Sequence, residues 1–442
     1  MSDSSKSLAR ELTQAVFGSV GVRMAGMVMT FVVGVQLARY LGPTDYGIYG
    51  TVWALVLICA VPVQFGLPQL LTREASAHMA TGNIGRVRGA IEVFGRMILR
   101  NALGLCFLAA VSIGILVSAG ALSRELGIAY AWGFAAMPLI ALLNFAVGGV
   151  RGFNGVVAAQ VFDGLLRPTL FAAFLLIGWL LIADMSASLA LALQAIALLI
   201  ALVCCFWYWR RQAPSSVLAS APEHHKSEWW SSARPMAGSE VLRVVDSQYG
   251  VLLLGFLAPL DQVGLFRVAL GLVAFVLLPN TLINVVVMPY LARFWANGEH
   301  ERLQKLVATA AVALFLAPLI ISAVLYLVGN PILTFVFGPA FADSWAPLMI
   351  MSLAYVVGGF FGLSIMTTNM CGQEKAVTRG FVIGLTVSGL TALALYPIAG
   401  ILCVPIAMIF AELCRGLYLW YIARTRLAID TSVLGAISWV RK

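Results

Sequence analysis

Apolar runs of membrane-crossing length recur along the whole chain, at roughly 14–40, 46–68, 89–118, 128–150, 166–183 and 188–209, and again at 236–258, 263–290, 306–328, 346–369, 378–396 and 400–423. A mostly apolar stretch of about 18 or more residues spans the hydrocarbon core as a helix, and these runs are continuous where barrel strands alternate over about ten residues. The pattern predicts an all-α polytopic membrane protein of about twelve transmembrane helices in two pseudo-symmetric six-helix lobes. Between them, residues 210–235 are rich in Ser, Ala and Pro and carry Trp229-Trp230, a pair expected at the headgroup level. The expected domains are an N-terminal lobe at 1–209, a cytoplasmic interlobe linker at 210–235, a C-terminal lobe at 236–424 and a cytoplasmic tail at 425–442.

The first two runs meet at Leu41-Gly42-Pro43, with a Thr44-Asp45 corner before Tyr46. Gly tolerates the left-handed cap, Pro cannot continue a helix, and Thr and Asp cap the next one, so this is the tip of a helical hairpin. The corner returns about 216 residues later, with Leu41, Pro43 and Asp45 matched by Leu257, Pro259 and Asp261. After a one-residue slip Gly47-Ile48-Tyr49 is matched by Gly264-Leu265-Phe266, and Pro62 falls against Pro279. The chain reads as a duplication. An even number of spans per half starts both halves on the same side, which predicts a parallel repeat with the substrate path between the lobes.

Composition agrees: 61% of the 442 residues are hydrophobic, 11% are charged, and the mean hydropathy is +0.95. The net charge of +9 follows from topology. With both termini cytoplasmic, only Arg39, Arg124 and Arg267 fall outside and Arg23 and Arg243 within spans, the remaining cations collecting on the cytoplasmic face. Anionic lipid then accounts for the basic balance, and no nucleic-acid partner is implied. The seven cysteines lie in or beside apolar runs without a CxxC pair and read as core filler, so neither disulfides nor a metal site is expected.

Ionisable residues inside spans are the place to look for chemistry, since each is costly in hydrocarbon and faces the bundle interior. Glu240, Arg243 and Asp246 fall within about 120° of arc on the seventh span and form one polar stripe. At about 1.5 Å per residue, Asp246 lies near the middle of a core about 30 Å thick, with Arg23 of the first span and Glu240 in the cytoplasmic third. Two readings stay open. Arg23 and Arg243 bind a phosphate-bearing substrate, with Glu240 and Asp246 balancing them or carrying a coupling proton; or the stripe neutralises itself and Arg23 snorkels. Asn280 and Asn284, on one face of the eighth span beside Pro279, are further substrate-binding candidates, with interhelical bonding as the rival role. Gln64 and Asn144 are also candidates for bonding between helices, and Glu412 with Arg415 for mutual satisfaction. The first lobe is expected to hold an intramembrane Arg and no intramembrane carboxylate.

The stretch LARYLGPTDYGIYG, followed by an apolar helix ending FGLPQLLTRE, resembles the polysaccharide transporter family, the Wzx-type oligosaccharide flippases of the multidrug/oligosaccharidyl-lipid/polysaccharide (MOP) superfamily. Val150 to Gly152 and Phe337-Gly338-Pro339 sit where that family tends to show Arg-Gly and Phe-Gly elements. The resemblance implies a MATE-like fold and a non-enzymatic flippase that moves undecaprenyl-pyrophosphate-linked oligosaccharide across a bacterial inner membrane, for O-antigen, capsule or exopolysaccharide. It implies lipid-linked oligosaccharide and membrane lipids as partners, with a polysaccharide polymerase and chain-length machinery beside them. No GxxxxGK[ST] occurs, so transport is expected to need no cofactor and to run on an H+ or Na+ gradient, the membrane potential or consumption of the product. The alternative is a MATE-like ion-coupled multidrug antiporter, expected to favour carboxylates for cationic drugs.

Overall fold

The computed structural model describes residues 3–182 and 184–440, so Arg441 and Lys442, counted among the cytoplasmic cations, lie outside the described residues, as do the side chains of Lys6 and Arg10. The first part of the chain forms α1 (Asp3–Gln64), α2 (Leu67–Thr81), α3 (Ile84–Ser118), α4 (Arg124–Gly152), α5 (Val156–Gln160), a π-helical turn (Val161–Leu166), α6 (Arg167–Leu181), α7 (Ala187–Gln212), α8 (Ser215–Ala219) and α9 (Lys226–Leu257). It continues through α10 (Leu260–Val276), α11 (Leu278–Ala296), α12 (His300–Val336), α13 (Trp345–Phe360), α14 (Ser364–Met370), α15 (Glu374–Ala399), α16 (Cys403–Arg426) and α17 (Val433–Val440).

The hairpin tip is where the Gly-Pro signal places it. Gly42 takes φ 72 and ψ 177, outside the helical region, and Pro43 follows. A Cβ placed on Gly34 would lie 3.8 Å from the Tyr46 hydroxyl. In an unbroken helix those twelve residues would separate the two positions by about 18 Å, so the arms of α1 fold back on each other. A second fold of this kind occurs at Gly400 (φ 53), which returns α16 along α15 and sets Arg415 over the Phe381 ring, 5.0 Å from its centroid.

By length and hydropathy, eight of the described stretches can cross a membrane, or nine when the pair α10 and α11, bent by 43°, counts as one broken span. With Gly18–Gln64 and Glu374–Arg426 each counted twice for their two arms, and α9 added, the described residues supply the twelve crossings of the sequence pattern. Glu240, Arg243 and Asp246, three of the six charged residues of α9, fall in its most apolar part and keep it out of the hydropathy count. One boundary moves: the fifth crossing begins at Val156 instead of 166, because α5 and the π-helical turn run straight into α6.

Contacts divide the chain between Gln248 and Tyr249, inside α9. The division falls there because residues 221–233 are fastened to α2 and α3. The Glu223 N–H donates to the Gly85 carbonyl (3.0 Å), and Gly89 leaves no room for a side chain beneath the strap, since a Cβ there would come within 1.8 Å of the Glu223 carbonyl oxygen. Trp229 is therefore 2% exposed, edge-on to Phe94, and only Trp230 of the pair remains on the surface. The cysteines also divide: Cys205, Cys371 and Cys403 are core residues, whereas Cys204 lies on the exposed face of α7.

The first unit is built on aromatic and small-residue contacts, with Tyr49 stacked on Trp53 and Phe171, and Phe145 edge-on to Trp209. Gln64 and Asn144 join α1 to α4 by a 3.1 Å hydrogen bond between their side chains. In the second unit, Phe266, Leu314, Leu348, Met351 and Leu419 are core residues. The Tyr249 and Ser388 hydroxyls are 2.5 Å apart, and the Tyr396 hydroxyl donates to the Leu257 carbonyl near the end of α9.

Candidate functional site

In the first unit α1 and the end of α4 meet the π-helical turn. On one side is α1: the Ser19 hydroxyl donates to Gln160 Oε1 (2.7 Å), and two turns further along α1 the backbones of Gly26 and Gly164 touch. Arg23 lies between these contacts, exposed and level with residues 161–163. At about 100° per residue it flanks the contact line on one side, while Ala25, Val28 and Met29 flank it on the other and wall an apolar cleft of about 540 Å³ with Val161, Leu165, Leu166 and Thr169.

Asp163 sits on this turn, its carboxylate 3.9 Å from the Arg151 guanidinium at the end of α4, and its charge bears on Arg243 of α9. A π-turn within an α-helical span widens the backbone and is often placed at a functional site. The expectation that the first lobe lacks an intramembrane carboxylate is corrected by Asp163, which lies within the span Val156–Leu181. The polar 151–165 stretch conceals it, reading as a turn between spans; the usable signal was an ionisable residue at the mouth of an apolar run.

On α9, Arg243 and Glu240 form a two-pronged pair, Nε to Oε2 at 3.1 Å and Nη2 to Oε1 at 2.5 Å, with the Arg243 side chain 67% exposed and that of Glu240 25%. Asp246 is half-buried on the same helix. Thus Arg23 and Asp163 share one level of the first unit, and Glu240, Arg243 and Asp246 share one helix within reach of the Asp163 field.

Asn280 and Asn284 belong to the second unit, on α11 directly after the break at Leu277, with Pro279 in the first turn. The Asn280 side-chain carbonyl is buried with no hydrogen-bond partner among the described residues, which leaves an acceptor open beside a broken helix. The second unit also holds Glu412 and Arg415, bonded to each other on α16 as their spacing predicts.

Sequence reasoning missed a second charged node. Glu74 of α2, 5% exposed, accepts from Arg86 Nε (2.8 Å) and Trp229 Nε1 (3.1 Å), and Arg86 reaches on to Glu228 (2.6 Å). Its partners lie 12 and 155 residues away, a separation no local pattern reveals. Burial pushes the Glu74 carboxyl up, but the bonds from Arg86 and Trp229, the Arg86 charge and a bond from Arg73 more than reverse this and hold it below its ordinary 4.5. A depressed carboxyl stabilises the fold fully above that value and loses its contribution as pH falls through the folded value. Thermal unfolding of the purified chain is expected to show this loss at acid pH. Glu74→Ala is expected to cost about 3 kcal/mol at neutral pH by leaving Arg86 and Trp229 short of an acceptor.

No curated protein matches the sequence. Among solved structures, the fold resembles an inward-facing multidrug resistance MATE family transporter of the MOP superfamily at TM-score 0.76 and 12% identity, covering 93% of this chain and 98% of that one. It also resembles the lipid II flippase MurJ in an inward closed conformation (TM-score 0.67, 13% identity, 96% and 90% covered) and a Vibrio cholerae MATE transporter (0.65, 15%, 97% and 98%). At such identities the likeness is one of fold. The model of a polysaccharide biosynthesis protein family matches residues 12–295. The match over residues 12–295, more than half of the chain, shows that it belongs to the polysaccharide biosynthesis protein family, and its multi-pass helical fold is like those of the MATE transporters and MurJ.

Proposed function

We propose that the protein is a flippase that carries an undecaprenyl-pyrophosphate-linked oligosaccharide from the inner to the outer leaflet of a bacterial inner membrane by alternating access, with both termini cytoplasmic. The observation that carries this reading is the two-pronged pairing of Arg243 with Glu240 on α9. A guanidinium fork matches a phosphate as well as a carboxylate. A pyrophosphate gains the fork by displacing Glu240, so substrate entry is tied to the fate of a carboxylate, and a displaced carboxylate in a partly desolvated site takes up a proton or a cation. Arg23 supplies a second cation at the level of the π-turn, the neighbouring apolar cleft suits a prenyl chain, and Asn280 and Asn284 offer uncharged bonds to sugar hydroxyls. H+ or Na+ coupling follows from the carboxylates Glu240, Asp246 and Asp163.

Inactivating the gene is the direct test. A lipid-linked repeat unit is expected to accumulate on the cytoplasmic leaflet and to disappear from the outer one. Unchanged leaflet distribution together with altered drug tolerance would favour the second reading, a MATE-like ion-coupled antiporter, which Asp163 supports because it gives the first unit a carboxylate able to meet a cationic drug. The polymerase and chain-length machinery are proposed partners on the strength of the substrate alone.

A further inference from the structure

Residues 93–103 of α3 and the first turns of α9 enclose a cleft of about 620 Å³ that the transport reading does not use. Its mouth is cationic: Arg96 and Arg100 stand one turn apart on α3 and face Lys226 of α9. Arg96 is paired with Glu92, whereas Arg100 and Lys226 have no carboxylate in ion-pairing range among the described residues. The floor is apolar and rigid. Trp229 is fixed by its bond to Glu74 and its contact with Phe94, and Trp230 is set edge-on to Phe65, 5.1 Å between ring centroids.

The cleft does not end at the protein surface. Leu99 and Leu103 belong to its wall and begin a row of exposed apolar side chains at every fourth residue, continuing through Phe107, Val111 and Ile115. Phe107 is 73% exposed, so this row faces the hydrocarbon. From Leu99 to Val111 it runs about 18 Å, enough for an acyl chain to cross one leaflet of a core about 30 Å thick.

A cationic mouth with unpaired donors at the polar end of a lipid-facing apolar track fits one class of molecule, an anionic amphiphile, and we infer that this cleft binds an anionic bilayer phospholipid. The phosphate sits among Arg96, Arg100 and Lys226, and one acyl chain lies along Leu99 and Leu103. One observation favours a bilayer lipid over the transported substrate: the track of exposed apolar side chains opens to the membrane along its whole length. The inference needs only that the chain spans a membrane, so it stands or falls apart from the choice of transported molecule.

Brominated acyl chains quench a neighbouring indole, and Trp230 reports on the cleft as the difference between the wild type and Trp230→Phe. The purified full-length chain, titrated with brominated phosphatidylglycerol and brominated phosphatidylcholine, is expected to show this Trp230 component at lower phosphatidylglycerol than phosphatidylcholine. Each cation near an anionic lipid is worth about a fivefold preference. Lys226→Gln should therefore lower the preference about fivefold and Arg100→Gln with Lys226→Gln about 25-fold, with phosphatidylcholine quenching unchanged. All three positions are exposed, so the fold tolerates these changes. Equal quenching by the two lipids in the wild type, or a preference that the double change leaves undiminished, would overturn the assignment. So would a prenyl pyrophosphate that displaces brominated phosphatidylglycerol at lower concentration than unbrominated phosphatidylglycerol does, because the occupant would then be the transported head.

Discussion

Arg243→Ala is expected to abolish export while the protein still inserts at its normal level, and Arg243→Lys to recover only part of it. Lys restores the charge but not the fork, and each charge-assisted bond of the fork is worth about 1.5–3 kcal/mol, so losing one amounts to about a 100-fold fall in transport. The pairing with Glu240 sharpens the test. If Arg243 only neutralises Glu240, removing it leaves a partly buried carboxylate that protonates or destabilises the helix, and the protein level falls with the activity. Changing Glu240, Arg243 and Asp246 together to Gln, Met and Asn separates the cases, since a self-neutralised patch is replaced without loss of transport and a substrate site is not. Complementation with quantified membrane levels is the measurement. An active triple variant would remove this helix from the substrate site. Glu240→Gln is informative from the other side: it frees the guanidinium, so substrate should bind while its release loses dependence on a carboxylate.

The features legible in the sequence are those whose cause is local. Gly42-Pro43 breaks α1 because a left-handed glycine followed by proline permits no continuous helix, and that needs no knowledge of the rest of the fold. Glu240 with Arg243, and Glu412 with Arg415, pair because three residues along a helix bring side chains together. Gln64 and Asn144 are the exception that hydrophobic context made readable: an amide inside an apolar run must find a partner, although the sequence did not say that each was the other's.

What remained hidden depends on contacts between distant segments. Asp163 looks like a loop residue because it follows the Arg151 to Gly155 turn so closely, and no periodicity marks a π-turn, which exists here because Gly164 meets Gly26 from 138 positions away. The same holds for Glu74, whose stretch TREASAH reads as a solvated connection until Arg86 and Trp229 close over it. Trp229 misled in the opposite sense: the pattern of a headgroup-level tryptophan and that of a buried hydrogen-bond donor are identical until its partner is known. Helix positions were thus readable from the chain's own chemistry, whereas the inter-helix register that builds the candidate site was not.

That register gives the last prediction. A Cβ on Gly26 would come within 2.2 Å of the Gly164 carbonyl oxygen, a backbone atom that no side-chain rotation can move aside. Gly26→Ala is therefore expected to push α1 off the π-turn, lose the Ser19 bond to Gln160 and cost about 3 kcal/mol, the upper end of overpacking, with Gly26→Leu failing to fold. The glycine across the contact behaves differently. A Cβ on Gly164 meets nothing within 4 Å, and neither does one on Gly21 a turn earlier in α1. There the intrinsic preference of helices for alanine, about 1 kcal/mol over glycine, is all that changes, so Gly21→Ala and Gly164→Ala should be neutral or stabilising. Thermal unfolding of the three alanine variants in detergent decides the matter, because helix propensity alone ranks them together and the backbone contact alone separates Gly26. Gly26→Ala melting with the other two would remove the close approach, and with it the argument that Arg23 stands level with Asp163. If instead it melts early while Gly164→Ala does not, the contact that sets Arg23 beside the π-turn is a fixed part of the fold, and the effect of Arg23→Ala on transport then reads as the loss of a positioned cation.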